Sequence, residues 1–208
     1  MSQITQKPQA PQRSSRVAKA LDRLLVRGGI FRTADAEAEG ITQQTLSRMA
    51  AAGDVVRLGH GLFQHPEAEV DPTEFDYVIA CARFGPSALI GGLTALFHYQ
   101  LINESPSRVW VVVPPSIKTR SPLHRCLRST HNPQVGVEQH LHFRIATLER
   151  AVVEALAYAT KVGAMNAVRA ARVAISSQRT TETRVYDMAE QLGVSRAVLK
   201  HWEALIAV

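Results

Sequence analysis

Residues 17–66 constrain the fold more than any other stretch, because their pattern gives three helices followed by a hairpin. Apolar side chains at helical spacing predict a first helix that stops at the pair Gly28-Gly29. A short helix is predicted over residues 33–38 and a third helix over residues 42–52, with Thr42 as its cap. Helices joined by turns of this length are typical of a helix-turn-helix.

The hairpin follows directly after the third helix. Residues 55–58 and 62–64 are two short, mostly apolar runs that predict strands, and Gly59 and Gly61 frame the turn between them. A basic hairpin after a helix-turn-helix is the order of a winged helix. In that arrangement one helix fills the major groove of DNA while the hairpin contacts the neighbouring backbone.

The third helix divides into an apolar face and a polar face that carries no acid. Leu46 and Met49 are predicted to pack inward. Glutamine pairs with adenine edges, arginine pairs with guanine, and hydroxyl groups suit phosphates or either base. Together with basic residues of the hairpin and its flank, the predicted DNA-contacting residues are Thr42, Gln43, Gln44, Thr45, Ser47, Arg48, Arg57, His60 and Arg32.

Basic charge is concentrated in two blocks of the chain, whose formal net charge is +6. Residues 1–66 carry nine Lys/Arg against five Asp/Glu, and residues 67–104 carry one against six. Residues 105–137 hold five basic residues and no acid. Such blocks favour a polyanion as partner. The second block therefore predicts a secondary DNA contact through Lys118, Arg120, Arg125 and Arg128.

The whole chain is expected to be α+β. We expect a flexible arm over residues 1–15, a winged-helix DNA-binding domain over residues 16–66, and a mixed α/β domain with a C-terminal helical cap over residues 73–208. In the second domain we expect helices at 73–84, 87–97, 147–158, 164–176, 181–192 and 195–206, and strands at 108–114, 123–130 and 137–145.

Residues 187–202 form a second pattern that resembles a helix-turn-helix. Gly193 and Val194 suit a tight corner, and Arg196 and Lys200 would line its outer face. The same pattern is typical of a helix that ends at glycine and a closing helix that packs on the core. We favour packing, and DNA contact by this segment remains the alternative.

Catalytic and metal-binding patterns are missing from the sequence. His140 and His142 alternate on a predicted strand, but no tight Cys or His pairing accompanies them, so we expect neither a metal nor another cofactor. A glycine-rich phosphate loop and a nuclease motif are also missing, which predicts that the protein is not an enzyme. Two cysteines, no signal peptide and no long apolar run predict a cytoplasmic protein without membrane contact.

Several segments resemble a known family. Residues 25–66, with Arg-Gly-Gly-Ile-Phe-Arg-Thr and Val-Val-Arg-Leu-Gly-His-Gly-Leu-Phe, resemble the N-terminal domain of AbiEi-type antitoxins, which belong to type IV toxin–antitoxin systems. Residues 92–101, 109–115 and 145–156 extend the resemblance into the second domain.

The resemblance implies an antitoxin that also represses its own operon. The winged helix would bind inverted repeats of double-stranded DNA in the promoter, and the second domain would counteract a toxin of nucleotidyltransferase type. The alternative is a stand-alone transcriptional regulator whose second domain senses a ligand or forms a dimer.

Overall fold

The computed structural model describes residues 15–59, 61–118 and 121–201. The chain divides into two compact units, Met1–Glu69 and Val70–Val208, and each is described by itself below. His60, Arg120 and residues 1–14 of the arm predicted over residues 1–15 lie outside the described residues, whereas Ser15 begins a helix. No helix in the described part of the chain is long and apolar enough to cross a membrane.

The first unit is a winged helix of three helices and a three-stranded antiparallel sheet. Its elements are α1 (Ser15–Val26), β1 (Ile30–Arg32), α2 (Thr33–Ala38), α3 (Gln43–Ala52), β2 (Val56–Gly59) and β3 (Leu62–Gln64). The strand order is β1-β3-β2. The predicted helices and hairpin are confirmed, whereas strand β1 was not predicted.

Strand β1 exists because two glycines reverse the chain after α1. Gly28 and Gly29 both have positive φ, at 108° and 73°, a backbone region that favours glycine. A Cβ on Gly29 would lie only 2.4 Å from that of Ala68, so this position also excludes a side chain for lack of space. The reversal brings Ile30 opposite Gln64 at the edge of the hairpin.

The core of the first unit joins all three helices to the sheet. Its buried apolar side chains are Ala20, Leu21, Leu24, Phe31, Ala36, Ile41, Leu46, Met49, Val55 and Phe63. Leu46 is fully buried and comes from α3, so this helix is fixed against the core by its apolar face.

An ion-pair cluster at the surface ties α1 to the end of α2. The Nε of Arg23 donates to Oε2 of Glu39 over 2.5 Å, and Nη2 of Arg27 lies 2.9 Å from Oε1 of the same carboxylate. The hydrogen bond from Arg23, followed by the charges of Arg23 and Arg27, lowers the pKa of Glu39 below its ordinary value of 4.5. The charged form of Glu39 therefore stabilises the folded unit.

We predict that Glu39→Gln destabilises the protein only where Glu39 is ionised in the folded state. Because the folded-state pKa is depressed, the stabilisation is complete above about pH 4.5 and is lost as the pH falls through that lower pKa. Urea unfolding between pH 7 and pH 3 measures it, with the neighbouring exposed Glu37→Gln as control. An equal difference from wild type at every pH would contradict the assignment.

The second unit is α+β. Its elements are α4 (Phe75–Phe84), β4 (Leu89–Ile90), α5 (Gly92–His98), β5 (Val109–Val113), β6 (His124–Arg128), β7 (Val137–Gln139), β8 (Arg144–Ala146), α6 (Leu148–Ala157), α7 (Ala159–Val162), α8 (Ala164–Ser176), α9 (Glu182–Gln191) and α10 (Ser195–Leu199). The sheet has the order β6-β5-β4-β8-β7. Strand β5 is paired on both sides, parallel to β6 and antiparallel to β4.

The helix predicted over residues 87–97 is wrong in its first half. Leu89 and Ile90 form strand β4 between β5 and β8, and the helix begins only at Gly92. A Cβ on Gly91 would come within 2.4 Å of Cγ2 of Val112, and a Cβ on Gly92 would come within 2.6 Å of Cε3 of Trp110. The two glycines allow the chain to leave the sheet and turn into a helix beside these side chains.

The strand predicted over residues 137–145 is also wrong as one element. It is an antiparallel hairpin of β7 and β8, with Val137 opposite Ala146, and neither strand pairs with β5. Residues 140–143 turn between the two strands, so His140 and His142 do not alternate along one strand.

Helix α6 is the buried centre of the second unit. Thr147 caps it by accepting a hydrogen bond from the N–H of Arg150, as predicted, and nearly all of its side chains are buried. Helices α5, α8, α9 and α10 all pack against it. The corner predicted over residues 187–202 belongs to this packing, because Val185, Ala189 and Val198 are fully buried. This agrees with the favoured interpretation, in which the segment packs on the core. Trp202 lies outside the described residues.

Helix α6 contains a buried ion pair between Arg150 and Glu154. The Nε of Arg150 donates to Oε1 of Glu154 over 3.0 Å, and both side chains have no exposed surface. The guanidinium also donates to the carbonyl oxygens of Asn132 and Val135. The ring nitrogen Nδ1 of His131 lies 3.5 Å from the same carboxylate oxygen. The loop between β6 and β7 is therefore held to the helix by buried charge.

A second buried guanidinium holds the other side of this loop. Arg144 donates to the carbonyl oxygens of Pro86 and Pro133 and to Oε1 of Gln134, at 3.3 Å for the last. Two arginines thus satisfy backbone oxygens that the loop would otherwise bury without partners.

We predict that Glu154→Gln lowers the free energy of unfolding by about 3–5 kcal/mol, because the Arg150 charge would remain buried without its counter-ion. Urea unfolding at pH 7 measures the change. The matched control is Glu190→Gln, which removes an exposed carboxylate from α9 and leaves stability near that of wild type. Equal stability of both variants would show that the buried pair contributes nothing.

Candidate nucleic-acid interface

The start of α3 is built by a threonine cap. Oγ1 of Thr42 accepts a hydrogen bond from the N–H of Thr45 over 3.2 Å and donates to Oγ1 of Thr45 over 3.0 Å. The first turn carries no acid, and the helix ends at Gly53 in the left-handed conformation. The sequence predicted both residues as DNA contacts, and in the structure their hydroxyl groups hold each other at the helix start. Their free capacity for a phosphate is therefore reduced.

The exposed face of α3 presents four side chains that can read base edges. Leu46 and Met49 are buried, which fixes the rotation of the helix on the core. The opposite face exposes Gln43, Gln44, Ser47 and Arg48. The structure thus brings together the predicted amide and guanidinium groups on one solvent-facing strip.

The wing supports Arg57 on an aromatic ring. Arg57 lies directly opposite Phe63 in the β2–β3 pair, and its guanidinium carbon is 5.3 Å from the centre of that ring. Phe63 stacks in turn on Phe31 of β1, with ring centres 6.2 Å apart. The exposed guanidinium is therefore anchored to the core through two rings. The sequence predicted Arg57 as a contact because it is a basic residue of the hairpin, but it did not identify Phe63 as the support of Arg57.

Arg32 is less available for DNA than its sequence position predicted. Its Nε lies 3.4 Å from Oδ2 of Asp35, and its backbone N–H donates to the same oxygen over 2.8 Å. This acid caps the start of α2 and offsets the arginine charge. The N–H of Thr33 donates to the carbonyl oxygen of Gly61 over 3.0 Å, so the tip of the wing is tied to α2.

The basic block of the second unit lies around the edge strand β6. Arg125 and Arg128 are exposed on this strand, and Lys118 is exposed in the loop before it. The guanidinium of Arg125 lies 5.7 Å from the centre of the Trp110 ring, and Nε of Arg128 donates to the carbonyl oxygen of Ile117 over 3.0 Å. The described part of the second predicted basic block is thus at the surface.

Among the described residues, no three His, Cys, Asp or Glu side chains lie close enough together to hold a metal ion. Cys81 and Cys126 are free thiols. Burial raises the pKa of both above the ordinary value, which keeps them protonated at neutral pH.

The comparisons with known proteins agree with this geometry. Residues 19–66 match the family model AbiEi_4, described as "Transcriptional regulator, AbiEi antitoxin". A crystal structure of the RV2827C protein from Mycobacterium tuberculosis is similar in fold, with a TM-score of 0.54 and 11% identity over 92% of this chain and 81% of that one. No match was found among curated proteins. The resemblance predicted from the sequence is therefore confirmed over the winged helix.

Proposed function

We propose that the chain binds inverted repeats in its own promoter, because residues 19–66 match a family model described as a transcriptional regulator and AbiEi antitoxin and form a winged helix. The observation that carries the proposal is the exposed, acid-free face of α3 beside a wing with a supported arginine. Helix α3 enters the major groove with Gln43, Gln44, Ser47 and Arg48 facing the bases. The wing lies along the neighbouring backbone.

Arg48 and Arg57 have different proposed roles because they lie on different elements. Arg48 lies on the recognition face, where a guanidinium can bind two acceptors of guanine at once. Arg57 extends from a strand at the side of the unit, where a phosphate is the nearest feature of bound DNA. Gln44, one turn before Arg48, suits the adenine edge. Thr42, Thr45, Arg32 and His60 complete the proposed contacts, with His60 outside the described residues.

The second unit supplies the antitoxin activity and a secondary contact with DNA. Lys118, Arg125 and Arg128 extend the basic surface and would add salt-dependent affinity without reading sequence. Arg120, from the same basic block, lies outside the described residues. The partner is a toxin of nucleotidyltransferase type encoded beside the chain.

We predict that Arg48→Ala weakens binding to the promoter by about 1–3 kcal/mol, roughly 5- to 150-fold in Kd, and relaxes the preference for one base pair. Arg57→Ala weakens binding to all sequences and lowers the salt slope of log K by about one unit. Fluorescence anisotropy with labelled duplexes at several salt concentrations measures both effects.

The control for these variants is Arg184→Ala, which removes an exposed arginine of α9 outside the proposed interface and should bind as wild type. Wild-type binding by both winged-helix variants would overturn the proposal. Loss of binding on Arg196→Ala and Lys200→Ala would instead assign recognition to the corner of α9 and α10.

We further predict that co-expression of the full chain relieves the growth arrest caused by the adjacent nucleotidyltransferase-like gene. Arg48→Ala should lose repression of a promoter reporter while it retains this relief, because the substitution lies in the DNA-binding unit. Growth curves and reporter output from the same cells measure the two activities. Growth arrest that continues in the presence of the wild-type chain would overturn the antitoxin role.

A further inference from the structure

Two adjoining cavities open on the second unit, and neither is part of the proposed DNA interface. The first has a volume of about 730 Å³ and is lined by Thr73, Glu74, Tyr77, Phe97, His98, Gln100, Ile102 and Asn103. The second, of about 450 Å³, is lined by Leu93, Ile102, Asn103, Glu104, Ser105, Pro106, Ser107, Asn166 and Arg169. Ile102 and Asn103 line both, so the cavities share a wall.

The first cavity is lined by aromatic rings that contact one another and the core. Tyr77 contacts His98 edge-on, with ring centres 5.9 Å apart, and Phe143 at 5.5 Å. Phe143 stacks on His140 with ring centres 4.2 Å apart, so ring contacts connect His98, Tyr77, Phe143 and His140. Burial, followed by the charge of His140, lowers the pKa of His98, so its ring is neutral at pH 7. Flat, uncharged rings in fixed positions suit the faces of a planar heterocycle.

Polar groups at the rim of the first cavity add hydrogen-bonding capacity. The carboxylate of Glu74 accepts, and the amides of Gln100 and Asn103 both donate and accept. A nucleobase is a planar heterocycle whose edge carries both donors and acceptors. The combination of rings and edge groups therefore fits a base better than an aliphatic ligand.

The second cavity has the groups that bind an anion. The guanidinium of Arg169, the hydroxyls of Ser105 and Ser107 and the amide of Asn166 all line it. Arginine with hydroxyl and amide donors is a common arrangement for phosphate. Glu104 lies between the shared Asn103 and these serines in sequence, where a carboxylate suits the hydroxyls of a ribose.

We propose that the second unit binds a ribonucleotide, with its base in the first cavity, its ribose beside Asn103 and Glu104, and its phosphate against Arg169, Ser105 and Ser107. The loop over residues 100–107 lines both cavities, so its chain direction follows the ligand from base to phosphate. None of the residues that line this site is among those proposed to contact DNA.

Isothermal titration calorimetry of the full chain with the four ribonucleoside monophosphates tests the proposal. We expect at least one to bind, and its nucleoside and inorganic phosphate each to bind about tenfold or more weakly, because each lacks one half of the recognition. Binding of none of the four would overturn the proposal. Phosphate that binds as well as the nucleotide would also overturn it, because the site would then recognise an anion only.

Single substitutions test the phosphate site and the base site separately. Arg169→Ala should weaken the nucleotide by about tenfold but leave the nucleoside unchanged, since Arg169 is exposed and faces the phosphate. Phe97→Ala should weaken both. Arg184→Ala, which removes an exposed arginine outside the site, is the control. If thermal unfolding shows that Phe97→Ala is not folded, the base site is tested instead with the wild-type chain and ribose 5-phosphate, a ligand that lacks a base. Equal affinity for ribose 5-phosphate and the nucleotide, or wild-type binding by Arg169→Ala, contradicts the assignment.

Discussion

Desolvation of charge is the constraint on which the second unit depends. Arg144 and Arg150 are buried, and each removes a guanidinium from water, which is costly unless its donors are satisfied. Their partners are mostly carbonyl oxygens of residues 132–135, with Glu154 as a carboxylate partner. The geometry of the loop therefore supplies most of the oxygens that bind the two cations, and Nη2 of Arg150 has the Glu154 carboxylate as its ion-pair partner. Because Arg150 and Glu154 both lie on α6, the helix that α5, α8, α9 and α10 contact, this geometry also fixes the centre of the unit.

Most of the fold could be predicted from the sequence, and two of the exceptions have a common physical origin. Long elements with clear periodicity, such as α3 and α8, were predicted close to their observed bounds. Two of the errors are short strands whose pairing partners are distant in sequence, and the third is a local hairpin, β7 and β8, that was predicted as one strand. Ile30–Arg32 pairs with β3, and Leu89–Ile90 pairs with β5 and β8. A strand of two or three residues has no period of its own, so only tertiary pairing distinguishes it from a helix or a turn.

The candidate interface was predicted by residue type and face, and its interactions were not. Helical spacing alone put Gln44, Ser47 and Arg48 on the exposed face. The ion pair between Asp35 and Arg32 was not predicted. Asp35 accepts hydrogen bonds from both the backbone N–H and the side chain of Arg32, so one carboxylate caps the helix and also pairs with the arginine. The two cavities were also beyond prediction. Residues 73–77 and 97–103 come together only after the sheet and α5 have formed, and no short motif marks them.

The hydrogen bond between Thr33 and Gly61 has a consequence for how the winged helix meets a duplex. Strand β1 pairs with β3 and continues directly into α2, so backbone hydrogen bonds join the wing to the helix pair. In the proposed complex with DNA, these bonds constrain the distance between the exposed face of α3 and Arg57. Where groove widths differ between sequences, the DNA in that proposed complex would have to bend or compress to reach both contacts. Operator choice would then include the elastic energy of base pairs that no side chain touches.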